Sequence, residues 1–68
     1  MKLVPGYMFK VSQKPKLEFK LGETYRIYHI APSEAGVDYI FQSKTGNIKL
    51  NFESTEHAEA LIGKMSGK

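Results

Sequence analysis

Lysines that alternate with apolar residues are the side chains of this chain that could do chemistry. Lys10, Lys16 and Lys20 lie in segments where every second residue is apolar, and Lys49 lies in a similar segment further on. This alternation places lysines on one face of a strand and apolar side chains on the other. Lysines can neutralise phosphates, and Tyr28, predicted to lie on the outer face, can stack on a base. The pattern predicts a nucleic-acid-binding face made of Lys10, Lys16, Lys20, Tyr28 and Lys49.

The distribution of charge favours a negatively charged partner that is recognised by its charge rather than by its base sequence. The net charge is +3, and the first 20 residues hold five lysines with Glu18 as their only acidic residue. Such a basic field attracts nucleic acid or an acidic protein surface. Arg26 is the only arginine, and arginine is the usual reader of base edges. Binding to nucleic acid is therefore expected to be largely independent of base sequence.

Apolar residues at outward positions support a second expectation. Met8, Tyr28 and Ile40 are predicted to form an apolar patch on the outer face of the sheet. Such a patch, or an unpaired sheet edge, is a typical docking surface of a protein-interaction module such as an inhibitor or accessory subunit. Self-association into a homo-oligomer is one version of this alternative. Both alternatives stay open at the level of sequence.

No group of residues has the spacing of a catalytic or metal site. The chain contains no cysteine, its two histidines lie far apart, and its glycines are scattered rather than gathered in a phosphate-binding loop. His57 is predicted to lie on the solvated face of a helix, and His29 is predicted to be partly buried at the end of a strand. We therefore expect no enzyme, no catalytic residue, no metal site and no cofactor.

Five period-2 segments and one amphipathic segment define the predicted fold. Alternation predicts strands over residues 7–12, 16–21, 24–30, 37–42 and 47–53, with the longest loop over residues 31–36. Ser54 or Thr55 can cap a helix over residues 55–65, whose apolar residues recur at helical spacing. The prediction is a single α+β domain over residues 1–68. It consists of a five-stranded antiparallel twisted sheet, or an SH3-like partial barrel, with the C-terminal helix packed on it.

The predicted core consists of the apolar residues on the inward-facing side of these elements. They are Tyr7, Phe9, Val11, Leu17, Phe19, Leu21, Tyr25, Ile27, Val37, Tyr39, Phe41, Ile48, Leu50, Phe52, Ala58, Leu61 and Ile62.

Residues 46–62 resemble part of a known RNA-binding family. The run from Gly46-Asn47-Ile48-Lys49-Leu50-Asn51-Phe52 to Ala58-Glu59-Ala60-Leu61-Ile62 resembles the third strand and second helix of an RNA-recognition motif. The resemblance implies stacking aromatics, but those positions fall on Lys49 and Asn51 here, and strands are predicted where the family has its first helix. The chain is therefore not assigned to that family. In layout alone, it is similar to small SH3-like barrels closed by a C-terminal helix, such as the small basic chromatin proteins of archaea.

The chain has no apolar run of the ~20 residues that a membrane span requires. Residues 1–6 also lack the apolar stretch of a secretory signal. Together with the absence of cysteine, this predicts a cytoplasmic protein without a membrane partner.

Overall fold

A computed structural model describes residues 3–67, which form an open four-stranded antiparallel sheet and one helix. The sheet order is β1-β2-β3-β4, and the elements are β1 (Met8–Lys10), β2 (Thr24–Ser33), β3 (Gly36–Ser43), β4 (Gly46–Phe52) and α1 (Thr55–Ser66). The α+β class and the C-terminal helix are confirmed. The prediction of five strands is wrong, and the SH3-like barrel stays a prediction.

Residues 16–21, predicted as a strand, are not one. They belong to the β1–β2 connection (residues 11–23), where Lys14 and Leu17 have positive φ angles of 43° and 57°. Positive φ is incompatible with an extended strand. Phe19 is buried, whereas Leu17 and Leu21 are 65% and 62% exposed. The alternation of apolar residues in this segment therefore reflects one buried anchor, Phe19, and two exposed leucines.

The ends of the β1–β2 connection are held together by backbone hydrogen bonds. The Val11 amide donates to the Glu23 carbonyl oxygen at 2.9 Å, and the Gly22 amide donates to the Val11 carbonyl oxygen at 2.7 Å. The Phe19 ring lies 4.9 Å from the Tyr25 ring and 5.0 Å from the Phe41 ring, both edge-to-face. The connection is therefore a closed loop, and Phe19 is the side chain that packs its second half on the aromatic core.

The predicted loop over residues 31–36 is a tight hairpin. β2 continues to Ser33, and β3 begins at Gly36, which pairs with Ser33. Pro32 fits in β2 because β1 pairs only with residues 24–26, so no strand on that side requires a Pro32 amide. Gly36 has a φ of 130°, and a Cβ atom there would overlap the carbonyl oxygen of Phe52. Proline and glycine therefore permit this hairpin rather than interrupt it.

The core lies between the inner face of the sheet and α1. The predicted core residues found buried are Phe9, Val11, Phe19, Tyr25, Ile27, Tyr39, Phe41, Phe52, Ala58 and Ile62. Those that are partly buried against this core are Tyr7, Val37, Ile48, Leu50 and Leu61. The predictions for Leu17 and Leu21 are wrong, since neither side chain faces the interior. Leu3 and Met65 are buried although they were not in the predicted core.

Helix α1 begins and ends at well-formed caps. The Ser54 hydroxyl accepts a hydrogen bond from the His57 amide, and Gly67 ends the helix in the left-handed conformation with a φ of 79°. The helix packs on β1 and β4 through a face that includes Ala58, Ile62 and Met65. No helix among residues 3–67 has both the length and the apolar character needed to cross a membrane.

Candidate functional site

A β-bulge in β2 determines which side chains reach the side of the sheet that α1 leaves uncovered. Ile27 pairs with Phe41, and His29 pairs with the adjacent residue of β3, Ile40. Tyr28 is therefore an extra residue of β2, inserted between two consecutive cross-strand pairs. Tyr28 is 58% exposed and His29 is also exposed. The bulge therefore places two neighbouring aromatic side chains on the uncovered side.

The prediction that His29 is partly buried is wrong for the same reason. In a regular strand, His29 would share the inner face with Tyr25 and Ile27. The bulge shifts the alternation by one residue, so Ile30 packs against the core and His29 faces solvent.

The open face is defined here as the side of the sheet opposite the core. Cross-strand pairing links Met8 to Arg26, Arg26 to Gln42, and Ile40 to both His29 and Lys49. Side chains that pair across neighbouring strands lie about 4.5–5.5 Å apart at Cβ, which makes these residues one continuous surface. The open face consists of Met8, Lys10, Thr24, Arg26, Tyr28, His29, Ile40, Gln42, Asn47 and Lys49, with Ala31, Asp38 and Asn51 toward the β2–β3 hairpin.

The centre of the open face is apolar and aromatic. Met8 is 60% exposed and pairs with Arg26, which makes it a diagonal neighbour of Tyr28. Ile40 is half-buried beside the bulge. The structure thus brings together the three residues predicted for the apolar patch, Met8, Tyr28 and Ile40.

Three cations surround this centre. Arg26 lies between Met8 and Gln42, Lys10 lies at the end of β1, and Lys49 lies on β4 opposite Ile40, and all three are exposed. Within residues 3–67, the one close approach of a basic nitrogen to a carboxylate is between His57 Nδ1 and Glu53 Oε2, 3.8 Å apart on the helix side. The three cations on the open face are therefore available to an anionic ligand.

The open face also carries an acidic residue, Asp38, toward the β2–β3 hairpin. Asp38 pairs with Ala31 and Asn51, close to the β2–β3 hairpin. Its carboxylate accepts a hydrogen bond of 2.9 Å from the Asn51 side-chain amide, which also donates to the Ser33 hydroxyl at 3.0 Å. This hydrogen bond comes from a neutral amide and leaves Asp38 negatively charged, so the positive character of the face is strongest toward Lys10 and Arg26, away from the β2–β3 hairpin.

Lys16 and Lys20, predicted for the same surface, lie in the β1–β2 connection and not on the open face. Lys16 lines a depression with Gln13, Lys14 and Lys64. The Lys20 backbone amide donates to the Tyr25 hydroxyl at 2.9 Å, on the core side of the sheet. Of the predicted nucleic-acid-binding residues, the structure brings together Lys10, Tyr28 and Lys49.

Sequence reasoning missed Arg26 and His29 as residues of this surface. Arg26 could have been found, because it alternates with the buried residues Tyr25 and Ile27. His29 could not, because its exposure depends on a bulge that the alternation of β2 does not reveal.

Comparison of the chain with protein-family models, with curated proteins and with solved structures finds no significant match. Among residues 3–67, no three histidine, aspartate or glutamate side chains gather into a group that could hold a metal ion. The function must therefore be inferred from the residues of the open face.

Proposed function

We propose that this protein binds single-stranded nucleic acid on the open face, largely without regard to base sequence, and does not act as an enzyme. The observation that carries the proposal is the bulge that exposes Tyr28 and His29 side by side. Stacking of a base on an aromatic side chain contributes about 1–3 kcal/mol. Lys10, Arg26 and Lys49 surround these rings, and cations so placed can neutralise the phosphates of the strand.

The shape of the open face favours a single strand over a duplex. Tyr28 and His29 can stack only on bases whose faces are unpaired and accessible, and a duplex hides those faces. The face is a sheet surface without a projecting helix, which is the element that most often enters the major groove. Arg26 is its only arginine, so discrimination among base edges is expected to be weak.

Salt dependence provides the first test of the proposal. Labelled single-stranded oligonucleotides of two sequences and a matched duplex are titrated with protein, and binding is followed by fluorescence anisotropy. With three phosphate contacts, the affinity for a single strand should fall about 18-fold between about 50 and 200 mM salt. Absence of binding at the lower salt concentration, or an affinity that salt does not change, would refute the proposal.

Substitution of Tyr28 tests the stacking role. Tyr28→Ala should weaken binding about 5- to 150-fold, because it removes one stacking platform of about 1–3 kcal/mol. Tyr28→Phe keeps the ring and should bind like the parent. His29→Ala should weaken binding as well, whereas His57→Ala serves as its control, because His57 is exposed on the helix side. If Tyr28→Ala bound like the parent, the stacking role would be wrong.

A protein partner is the second candidate, favoured by the exposed Met8 next to Tyr28 and by the sheet edge at β4. β4 is seven residues long and lies at one edge of the described sheet. An acidic protein segment could add a strand there, or a second copy of the chain could pack on the apolar surface at Met8 and Tyr28. Light scattering at increasing protein concentration tests self-association. A dimer abolished by Met8→Ser, in a protein that fails to bind single strands, would favour this candidate.

A further inference from the structure

A second basic surface lies beside the open face. Gln13, Lys14, Lys16 and Lys64 line a depression between the β1–β2 connection and the end of α1, and none of these described lining residues is acidic. Lys64 also stabilises the negative end of the helix, but this does not explain Lys14 and Lys16. The three lysines define the lysine depression.

Hydrogen bonds fix the two sides of the lysine depression to each other. The Gln13 side-chain amide donates to the Lys64 carbonyl oxygen at 3.1 Å. The backbone amides of Ser12 and Gln13 both donate to the Met65 carbonyl oxygen, at 2.8 and 3.1 Å. Lys14 follows with a φ of 43°, a conformation that non-glycine residues adopt at a cost of about 1–3 kcal/mol. The three lysines are therefore presented by a scaffold whose parts hold together.

A groove along the edge strand β1 shares residues with the open face and adjoins the lysine depression in sequence. It is lined by Tyr7, Met8, Phe9, Lys10, Ser12 and Ser66. Met8 and Lys10 belong to the open face as well, and Ser12 directly precedes Gln13 of the depression. None of the described residues that line this groove is acidic, which favours a polyanion there.

We infer that a bound single strand longer than the open face continues along this groove and sets its phosphates against Lys14, Lys16 and Lys64. The inference rests on the proposed function and extends its footprint. Small β-domains that bind single strands cover about 4–16 nucleotides. The described chain is 31 Å in its longest dimension, so we choose about 5 nucleotides for a strand confined to the open face and about 12 nucleotides for one long enough to reach the depression.

Strand length separates the two surfaces experimentally. Oligothymidylates of about 5 and about 12 nucleotides are titrated with the parent and with the triple variant Lys14→Gln, Lys16→Gln, Lys64→Gln. For the longer strand, the variant should bind about tenfold or more weakly at about 50 mM salt. Its slope of log affinity against log salt should be shallower by about 2. For the shorter strand, parent and variant should agree within about twofold, because those three lysines lie outside its footprint.

Lys20→Gln is the matched control for Lys16→Gln. Both lysines are exposed in the same connection, but only Lys16 lines the depression. Lys16→Gln should weaken binding of the longer strand, and Lys20→Gln should leave it near the parental value. Circular dichroism of each variant checks that the fold is retained.

The possible results distinguish failure of the inference from failure of the proposed function. If the short strand binds and the triple variant binds the long strand like the parent, the inference is wrong and the proposed function stands. Equal losses on both strands would show a general effect of charge and would also overturn it. If the parent binds neither strand at low salt, the proposed function fails and the extended path fails with it.

Discussion

Tyr28 is an unusual residue because its large side chain contributes little to the core. A ring that is 58% exposed on an uncovered sheet face gains only part of the free energy of a buried aromatic. Exposed substitutions away from caps, cavities and strained backbone usually change stability by less than about 0.5 kcal/mol. The expected loss of binding in Tyr28→Ala should therefore occur without a comparable loss of stability.

Gly36 is the residue whose side chain the fold excludes most strictly. Gly36→Ala introduces a Cβ atom that overlaps the Phe52 carbonyl oxygen and lies 2.9 Å from the Glu53 carbonyl oxygen. Gly46 has nearly the same φ, 132° against 130°, but a Cβ atom at Gly46 would have no neighbouring atom within 4 Å. Both substitutions carry the cost of positive φ, and only Gly36→Ala adds about 1–3 kcal/mol of overpacking.

Chemical unfolding of the two glycine variants measures this difference. Gly36→Ala should be less stable than Gly46→Ala by about 1–3 kcal/mol. Equal stability of the two variants would mean that β3 does not begin in contact with the end of β4.

At the scale of elements, residues 16–21 of the β1–β2 connection are held against the core by the side chain of Phe19. Phe19→Ala should destabilise the protein by about 3–5 kcal/mol, because it removes a buried ring from the aromatic cluster. Leu17→Ala removes a 65% exposed side chain and should change stability by less than about 0.5 kcal/mol. Thermal unfolding compares them. If the two variants lost equal stability, residues 16–21 would present both side chains to the core, as a strand would.

The elements predictable from sequence are those specified by local residues. The β3–β4 hairpin follows from alternation on both sides of Gly46, and α1 follows from its helical spacing and the Ser54 cap. Residues 16–21 alternate just as strictly, but alternation assigns faces and cannot supply a partner strand. The hairpin at Glu34 and Ala35 was missed because proline and glycine nearby resemble loop residues.

The candidate site was predictable only where its residues belong to regular strands. Lys10 and Lys49 lie on the outer face, as alternation indicates. Lys16 and Lys20 were grouped with them through a strand that does not form. The exposure of Tyr28 and His29 on the same side of the sheet depends on the bulge between Ile27 and His29. This bulge is a property of how β2 pairs with β3.

At the scale of the whole molecule, the core and the proposed binding surface lie on opposite faces of one sheet. The inner face carries the buried cluster that α1 covers, and the open face carries exposed aromatic and cationic side chains. Substitutions on the open face should therefore change affinity more than stability, and substitutions under α1 should do the reverse. This separation is useful because a domain of this size has a stability of only a few kcal/mol to lose.

The covering of the inner face by α1 is the contact on which the stability of the whole molecule depends. Ile62 is fully buried on the face of α1 that packs on the sheet, whereas its neighbour Leu61 is only half-buried. Ile62→Ala should cost about 2–5 kcal/mol, enough to unfold much of the population, and Leu61→Ala should cost less. Amide hydrogen exchange of the parent should show α1 as protected as β3, because an isolated helix of this length is marginal in water. Exchange of α1 at the rate of a free peptide, with β3 still protected, would show that the sheet folds without its cover.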